Sequence, residues 1–156
     1  MQINYYQIMD HIKDGSFRKL GAGSGRYVYD MGNGYVVKYG RNVKGQAQNQ
    51  EEYEIYHIRF DPILAAATAL SGDNRILIME KVEPYYTSKY ICEYFQISNL
   101  RGVLQVPEVR RMTYDYHLVG ADLTKLSSWG EARKRPVLLD YGFTTEVRHR
   151  YYNGLF

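Results

Sequence analysis

Between residues 17 and 39 the chain keeps the two-residue period of a β-sheet and breaks it at a turn carrying three glycines, Gly21, Gly23 and Gly25. Residues 17–20, 27–30 and 35–39 read as three strands, the last two joined by the hairpin turn Met31-Gly32-Asn33-Gly34, so the fold opens with antiparallel pairing. A strand, glycine turn, strand order removes the context of Rossmann and Walker phosphate sites, which need a helix after the glycines. Two readings of the turn remain open. It is a flap whose backbone N–H groups approach a phosphate, or it is an ordinary tight hairpin.

The rest of the chain sets limits around that sheet. Tyr5, Ile8, Met9 and Ile12 recur at helical spacing until Asp14-Gly15, which predicts a short amphipathic helix in front of the strands. In Val36-Val37-Lys38 a lysine lies on an apolar strand, where it either snorkels to solvent or points at a specific anion. A helix within residues 41–60 has Tyr53, Ile55, Tyr56 and Ile58 as its apolar positions. It offers Glu51, Glu52 and Glu54 as three chances to face Lys38, with a solvated acidic face as the alternative for at least two of them. Residues 61–67 turn and pack, and residues 75–82 read as a buried strand that closes the first lobe.

Beyond Pro84 the strand signals stop. Residues 90–97 and 106–118 have helical spacing, with Pro107 acceptable in a first turn. Residues 119–129 are irregular and hold Asp122, with Trp129 as their core anchor and His117 packed near Asp122. Residues 130–136 form a turn in which Arg133-Lys134-Arg135 is solvated. The strand Val137-Leu138-Leu139 then delivers one carboxylate, Asp140, before Tyr141 and Gly142, an arrangement suited to holding a metal. A β-rich half followed by an α-rich half predicts an α+β fold in two unequal lobes around a cleft.

Length permits one domain over residues 1–156, with the first lobe at about 1–83 and a reduced second lobe at 84–156. A net charge of +3 does not demand nucleic acid or a membrane as partner. Cys92 is the single cysteine, which rules out an intrachain disulfide and fits a reducing compartment. No apolar run reaches membrane-spanning length and Met1-Gln2-Ile3-Asn4-Tyr5 lacks signal-peptide character, so a cytoplasmic location is expected. The 17 tyrosines, paired at 5–6, 85–86 and 151–152, serve either packing or an interaction surface.

Taken together, these segments resemble the protein-kinase-like superfamily. Leu20 to Val28 is similar to its glycine-rich loop, Val36-Val37-Lys38 to its ATP-lysine strand, Glu52 to its helix C glutamate, and Ile78-Met79-Glu80-Lys81-Val82 to its gatekeeper and hinge. Asp122 falls where the catalytic-loop aspartate belongs, and Asp140-Tyr141-Gly142 resembles the metal-binding Asp-Phe-Gly. Small kinase-like proteins of phages and bacteria are the narrower likeness, through Arg26-Tyr27-Val28-Tyr29-Asp30, Gln48-Asn49 and Leu138-Leu139-Asp140-Tyr141-Gly142. The resemblance implies a truncated two-lobe kinase-like fold, with an antiparallel N-lobe sheet, helix C and a reduced helical C-lobe.

Roles follow from the same resemblance. Gly21, Gly23 and Gly25 would cover the phosphates of ATP, Lys38 held by Glu52 would orient them, and the backbone of Glu80 and Val82 would hold adenine. Asp122 would orient an acceptor hydroxyl, while Asp140 and the weaker ligand Ser127 would carry Mg²⁺. The chain departs from the pattern where Arg26 replaces the third loop glycine, where Gly120-Ala121 replaces His-Arg, and where Ser127 replaces asparagine. Only 16 residues follow Asp140, so the segments that dock protein substrates are expected to be missing. The implied activity is an ATP- and Mg²⁺-dependent phosphotransferase, Ser/Thr protein kinase-like, acting on a host or bacterial protein. The alternatives are a pseudokinase that binds nucleotide or protein, and a phage structural or host-interaction protein.

Overall fold

The computed structural model describes residues 2–152. Helix α1 (Tyr5–Lys13) is capped by Asn4, whose side chain accepts the Gln7 N–H. Strands β1 (Arg18–Ala22), β2 (Arg26–Asp30) and β3 (Tyr35–Gly40) follow as two successive hairpins, then helix α2 (Val43–Arg59), β4 (Ala67–Leu70) and β5 (Ile76–Glu80). The five strands form one antiparallel sheet in the order β1-β2-β3-β5-β4.

Strand alternation divides the apolar residues between the two faces of this sheet. Val37, Ile76 and Ile78 pack with Ile8 of α1 on one face, whereas Val36, Leu77 and Met79 join Ile55 of α2 on the other. Lys38, two positions after Val36, is therefore directed to the α2 side. The predicted α1, the opening strands and α2 are all present. β4 was not foreseen: the segment read as a turn continues into an edge strand of alanines, which carries little of the β-branched signature.

The second lobe contains α3 (Lys89–Phe95), a 3-10 turn at Leu100–Gln105, α4 (Pro107–Tyr116), the short α5 (Gly120–Leu123) and α6 (Thr145–Tyr151). It also contains strands, which corrects the expectation that they stop at Pro84. β6 (Glu83–Pro84), β7 (Trp129–Ala132) and β8 (Arg135–Leu138) form a three-stranded antiparallel sheet. Residues 130–136 are thus a hairpin whose turn is only Arg133-Lys134, both at positive φ (53° and 57°).

The basic run is not simply solvated. The Arg133 guanidinium donates to the Glu80 carboxylate at 2.5 and 2.7 Å and to the Pro62 carbonyl, and Arg135 pairs with Glu108 at 3.0 Å. Trp129 is the anticipated anchor, buried and donating its indole N–H to the Leu123 carbonyl at 2.8 Å. His117 departs from its reading: it is exposed and ends α4 in the left-handed conformation (φ 56°). The architecture is α+β, an antiparallel sheet with one long helix packed on it, followed by a reduced, mainly helical lobe. Among the described residues, no helix is long and apolar enough to cross a membrane.

Candidate active site

The segment after β8 is tied into place from three directions. Leu138 donates to the Ile63 carbonyl and Ala65 to the Leu138 carbonyl, at 2.7 and 2.8 Å. The Leu139 N–H reaches the Ser128 carbonyl at 2.9 Å, and the buried Tyr141 hydroxyl donates to the Ala65 carbonyl at 2.6 Å. This seats the backbone of residues 139–142 against α2. Gly142 is required there by contact: a Cβ would lie 2.5 Å from the Gln48 carbonyl oxygen of α2.

Glu52 lies at the centre of the resulting wall. It is fully buried and accepts six hydrogen bonds. Two come from the Arg26 guanidinium at 2.9 and 3.0 Å, two from the Lys38 ammonium at 2.9 and 3.0 Å, and two from the Tyr141 and Gly142 N–H groups at 3.1 Å. A buried carboxylate is tolerable only when paired and saturated in this way. Burial works to raise its pKa, but Arg26 and Lys38 outweigh that and hold the carboxyl down at about 2.

Lys38 is also buried, and its three N–H donors go to the two Glu52 oxygens and the Leu139 carbonyl. Burial draws the Lys38 pKa down and Arg26 adds to that pull, while Glu52 and Asp140 oppose it. Three acceptors around one ammonium favour its charged form and so oppose the effect of burial. Of the three glutamates, Glu52 is the one turned inward; Glu51 is half-buried and Glu54 exposed.

Arg26 is the residue whose role was not legible. Read as a departure from the glycine pattern, it is 7% exposed, and its second terminal nitrogen extends past Glu52 to Asp140 Oδ1 at 2.9 Å. Asn49, completely buried, accepts from Arg26 at 3.2 Å and donates to the Lys38 carbonyl. For the Arg26 guanidinium burial acts downward, yet Glu52 and Asp140 together raise its pKa. The one available signal was an arginine at the start of a strand beside a glycine turn.

A cleft of about 470 Å³ opens between this wall and the second lobe, within the ~300–1,000 Å³ range of ligand sites. It brings together Gly21, Gly23, Gly25, Lys38, Asp122, Ser127 and Asp140, with Arg26 and Lys125 among its other lining residues. Gly25 has a packing reason, since a Cβ would lie 2.8 Å from the Gly45 nitrogen of α2. Gly21 has none, because open space surrounds its Cβ position. The Gly23 N–H closes the loop on the Arg26 carbonyl at 2.8 Å.

Asp122 occupies the opposite side. Its carboxylate takes the Lys125 ammonium at 2.7 Å, and its carbonyl accepts the Ser128 hydroxyl at 2.7 Å. Glu80 and Val82 are not among the residues lining the cleft. The Glu80 N–H donates to the Ala66 carbonyl at 2.9 Å, and the Val82 side chain lies against Gly130.

Mg²⁺ fits this arrangement poorly. Asp140 Oδ1 is already neutralised by Arg26, and Asp122 by Lys125. A cation beside Asp140 would face the guanidinium, a repulsion of about 4 kcal/mol per unit charge at ~4 Å and an effective dielectric of ~20, reduced where Asp140 is half-exposed. Ser127 contributes at most a hydroxyl, a weak ligand for so hard an ion. Among the described residues, no group of three or more His, Cys, Asp or Glu side chains is gathered as a metal site.

No family model matches the chain, and no curated protein does. Among solved structures it is similar to a ternary complex of APH(2″)-IIa with streptomycin and ATP, at 18% identity and a TM-score of 0.45. That similarity covers 68% of this chain and 39% of the other, so the chain spans about two-fifths of the length of the structure it matches.

Proposed function

We propose that the chain is a kinase-like module that takes the phosphate groups of ATP into the cleft under the glycine turn. The observation that carries this reading is the convergence of Lys38, Arg26 and Lys125 on one cleft roofed by Gly21, a glycine that no packing contact accounts for. Lys38 is held in place by Glu52, and turning its third N–H from the Leu139 carbonyl to a phosphate oxygen leaves that pair intact. Lys125 is 62% exposed, so it can leave Asp122 for the ligand without stranding a buried charge.

The test is a thermal-melting titration of the protein with ATP. Binding to the folded state alone raises Tm by mass action, by the equivalent of about 2.7 kcal/mol at a ligand concentration ~100 times Kd. No shift at millimolar ATP removes the nucleotide reading and returns the chain to the protein-binding alternative.

Phosphoryl transfer to a Ser or Thr hydroxyl of a host or bacterial protein is a second reading, favoured by Asp122 and Asp140 lining the same cleft. Asp122 would orient the acceptor hydroxyl once Lys125 turns to the phosphates. Intact-mass spectrometry after incubation with ATP and candidate proteins tests it. A gain of one phosphoryl group that disappears in Asp122→Asn supports transfer, and no gain leaves a module that binds without turnover.

A further inference from the structure

We infer that Arg26 stands in for the divalent cation at Asp140, so that the cleft binds a metal-free triphosphate. The inference rests on the nucleotide reading above and goes beyond it, since it assigns the counter-charge to a side chain of the protein.

The argument starts from where the guanidinium is fixed. Arg26 begins β2, opposite Gly40 of β3, and projects into the space between α2 and the segment after β8. Asn49 and both oxygens of Glu52 hold its two terminal nitrogens, leaving one N–H to reach Asp140. The side chain is therefore not a mobile surface arginine that a metal ion could displace by rotating it into water. Removing it from Asp140 would also disturb a buried carboxylate that depends on it.

Charge around the cleft leads to the same result. The charged lining residues are Arg26, Lys38 and Lys125 against Asp122 and Asp140, and both carboxylates already have a cationic partner. Sites that attract Mg²⁺ present unpaired carboxylate oxygens that it shares with phosphate. Counting Glu52, which takes both Arg26 and Lys38, three cations face three carboxylates, so no carboxylate is left unpaired to draw in a metal ion and the position beside Asp140 is held by a cation of the protein. In chemical terms the ligand is a free polyanion, and the Arg26 guanidinium at Asp140 holds the place that Mg²⁺ would otherwise take.

The experiment is a thermal-shift titration of the full chain with ATP in two media, one with EDTA and one with excess Mg²⁺. The expected result is a shift in EDTA, with apparent affinities in the two media agreeing within about threefold. A shift that needs Mg²⁺, with affinity at least about tenfold weaker in EDTA, overturns this inference and leaves the nucleotide reading intact. No shift in either medium overturns both.

Arg26→Gln is the complementary variant. Freed from the guanidinium, Asp140 should make binding respond to Mg²⁺ by about tenfold, and Mn²⁺ titrated alone should lose its free-ion paramagnetic resonance signal on this variant but not on the wild type. If Arg26→Gln still melts cooperatively and both readouts match the wild type, the role given to Arg26 is wrong. If it does not fold, the two-media titration of the wild type still decides the matter.

Discussion

The two sides of the cleft use the same chemistry, a carboxylate against a basic side chain, to opposite effect. On one side Glu52, fully buried, is bound by Arg26, Lys38 and two backbone N–H groups, in a cluster joining β2, β3, α2 and the segment after β8. On the other, Asp122 and Lys125 meet three residues apart at the rim, with Lys125 largely in water. Burial makes the difference. The first cluster cannot lose a member without stranding a charge, while the second can exchange its partner for a ligand at small cost. A buried, saturated wall facing an exposed, exchangeable rim suits a site that holds phosphate groups.

Breaking the wall should have the largest effect. Glu52→Gln leaves Arg26 and Lys38 buried against a neutral amide, and is expected to lower unfolding stability by ~3–5 kcal/mol in urea denaturation. A loss below about 1 kcal/mol would mean that the cluster is better solvated than its geometry indicates, and the contrast with the rim would fail.

Acid should act on the same wall next. The Glu52 carboxyl is held at about 2 when folded, against 4.5 for the unconstrained group. The unfolded chain therefore binds the proton first as pH falls, and the contribution of Glu52 is complete above about 4.5 and lost progressively down to about 2. Its size is on the order of 3 kcal/mol. Comparing the pH dependence of stability in wild type and Glu52→Gln isolates it: the variant should have a flatter profile in that window, and parallel curves would remove the assigned depression.

Packing at the wall gives a third test. Gly45 of α2 lies so close to the glycine turn that a Cβ would collide with the Gly25 carbonyl, a backbone atom that cannot swing aside. Gly45→Ala should cost ~1–3 kcal/mol by overpacking and weaken ATP binding by pushing the turn away. Full stability with unchanged affinity would indicate that turn and helix are less tightly joined than their contacts imply.

What could be read from the sequence follows the same division between local and distant causes. Lys38, Glu52, Asp122 and Asp140 were legible because each lies in a short recognisable pattern, and the opening strands because their turns contain the expected glycines. Arg26 was not legible, because its partners lie 26 and 114 positions away and only the folded chain brings them together. β4 was hidden by its alanines, Ala67 and Ala69, with Thr68 as its one β-branched residue. The hairpin of β7 and β8 was hidden by its turn: Arg133-Lys134 occupies positive-φ positions where Asn-Gly or Asp-Gly would have signalled it. The hinge reading failed to reach the cleft for a related reason, since Glu80 is engaged by Ala66 and Arg133, partners set by tertiary contacts.

The smallest expected effect on stability lies at the rim, and it most directly separates the two sides. Lys125→Ala removes an exposed ammonium whose pair with Asp122 is worth at most ~0.5–1 kcal/mol, so Tm should move by no more than about 3 °C. The same change takes one positive charge from the cleft and leaves Asp122 uncompensated facing the ligand. ATP affinity should then fall by about three- to tenfold, and the deficit should shrink as salt is raised, because an exposed charge is screened over ~8–10 Å at physiological ionic strength. An unchanged affinity would make the rim pair a surface contact without a role, and the phosphate site would reduce to the buried wall alone. A large loss of stability would show instead that Asp122 and Lys125 form part of the structural framework, and the contrast between wall and rim would be lost.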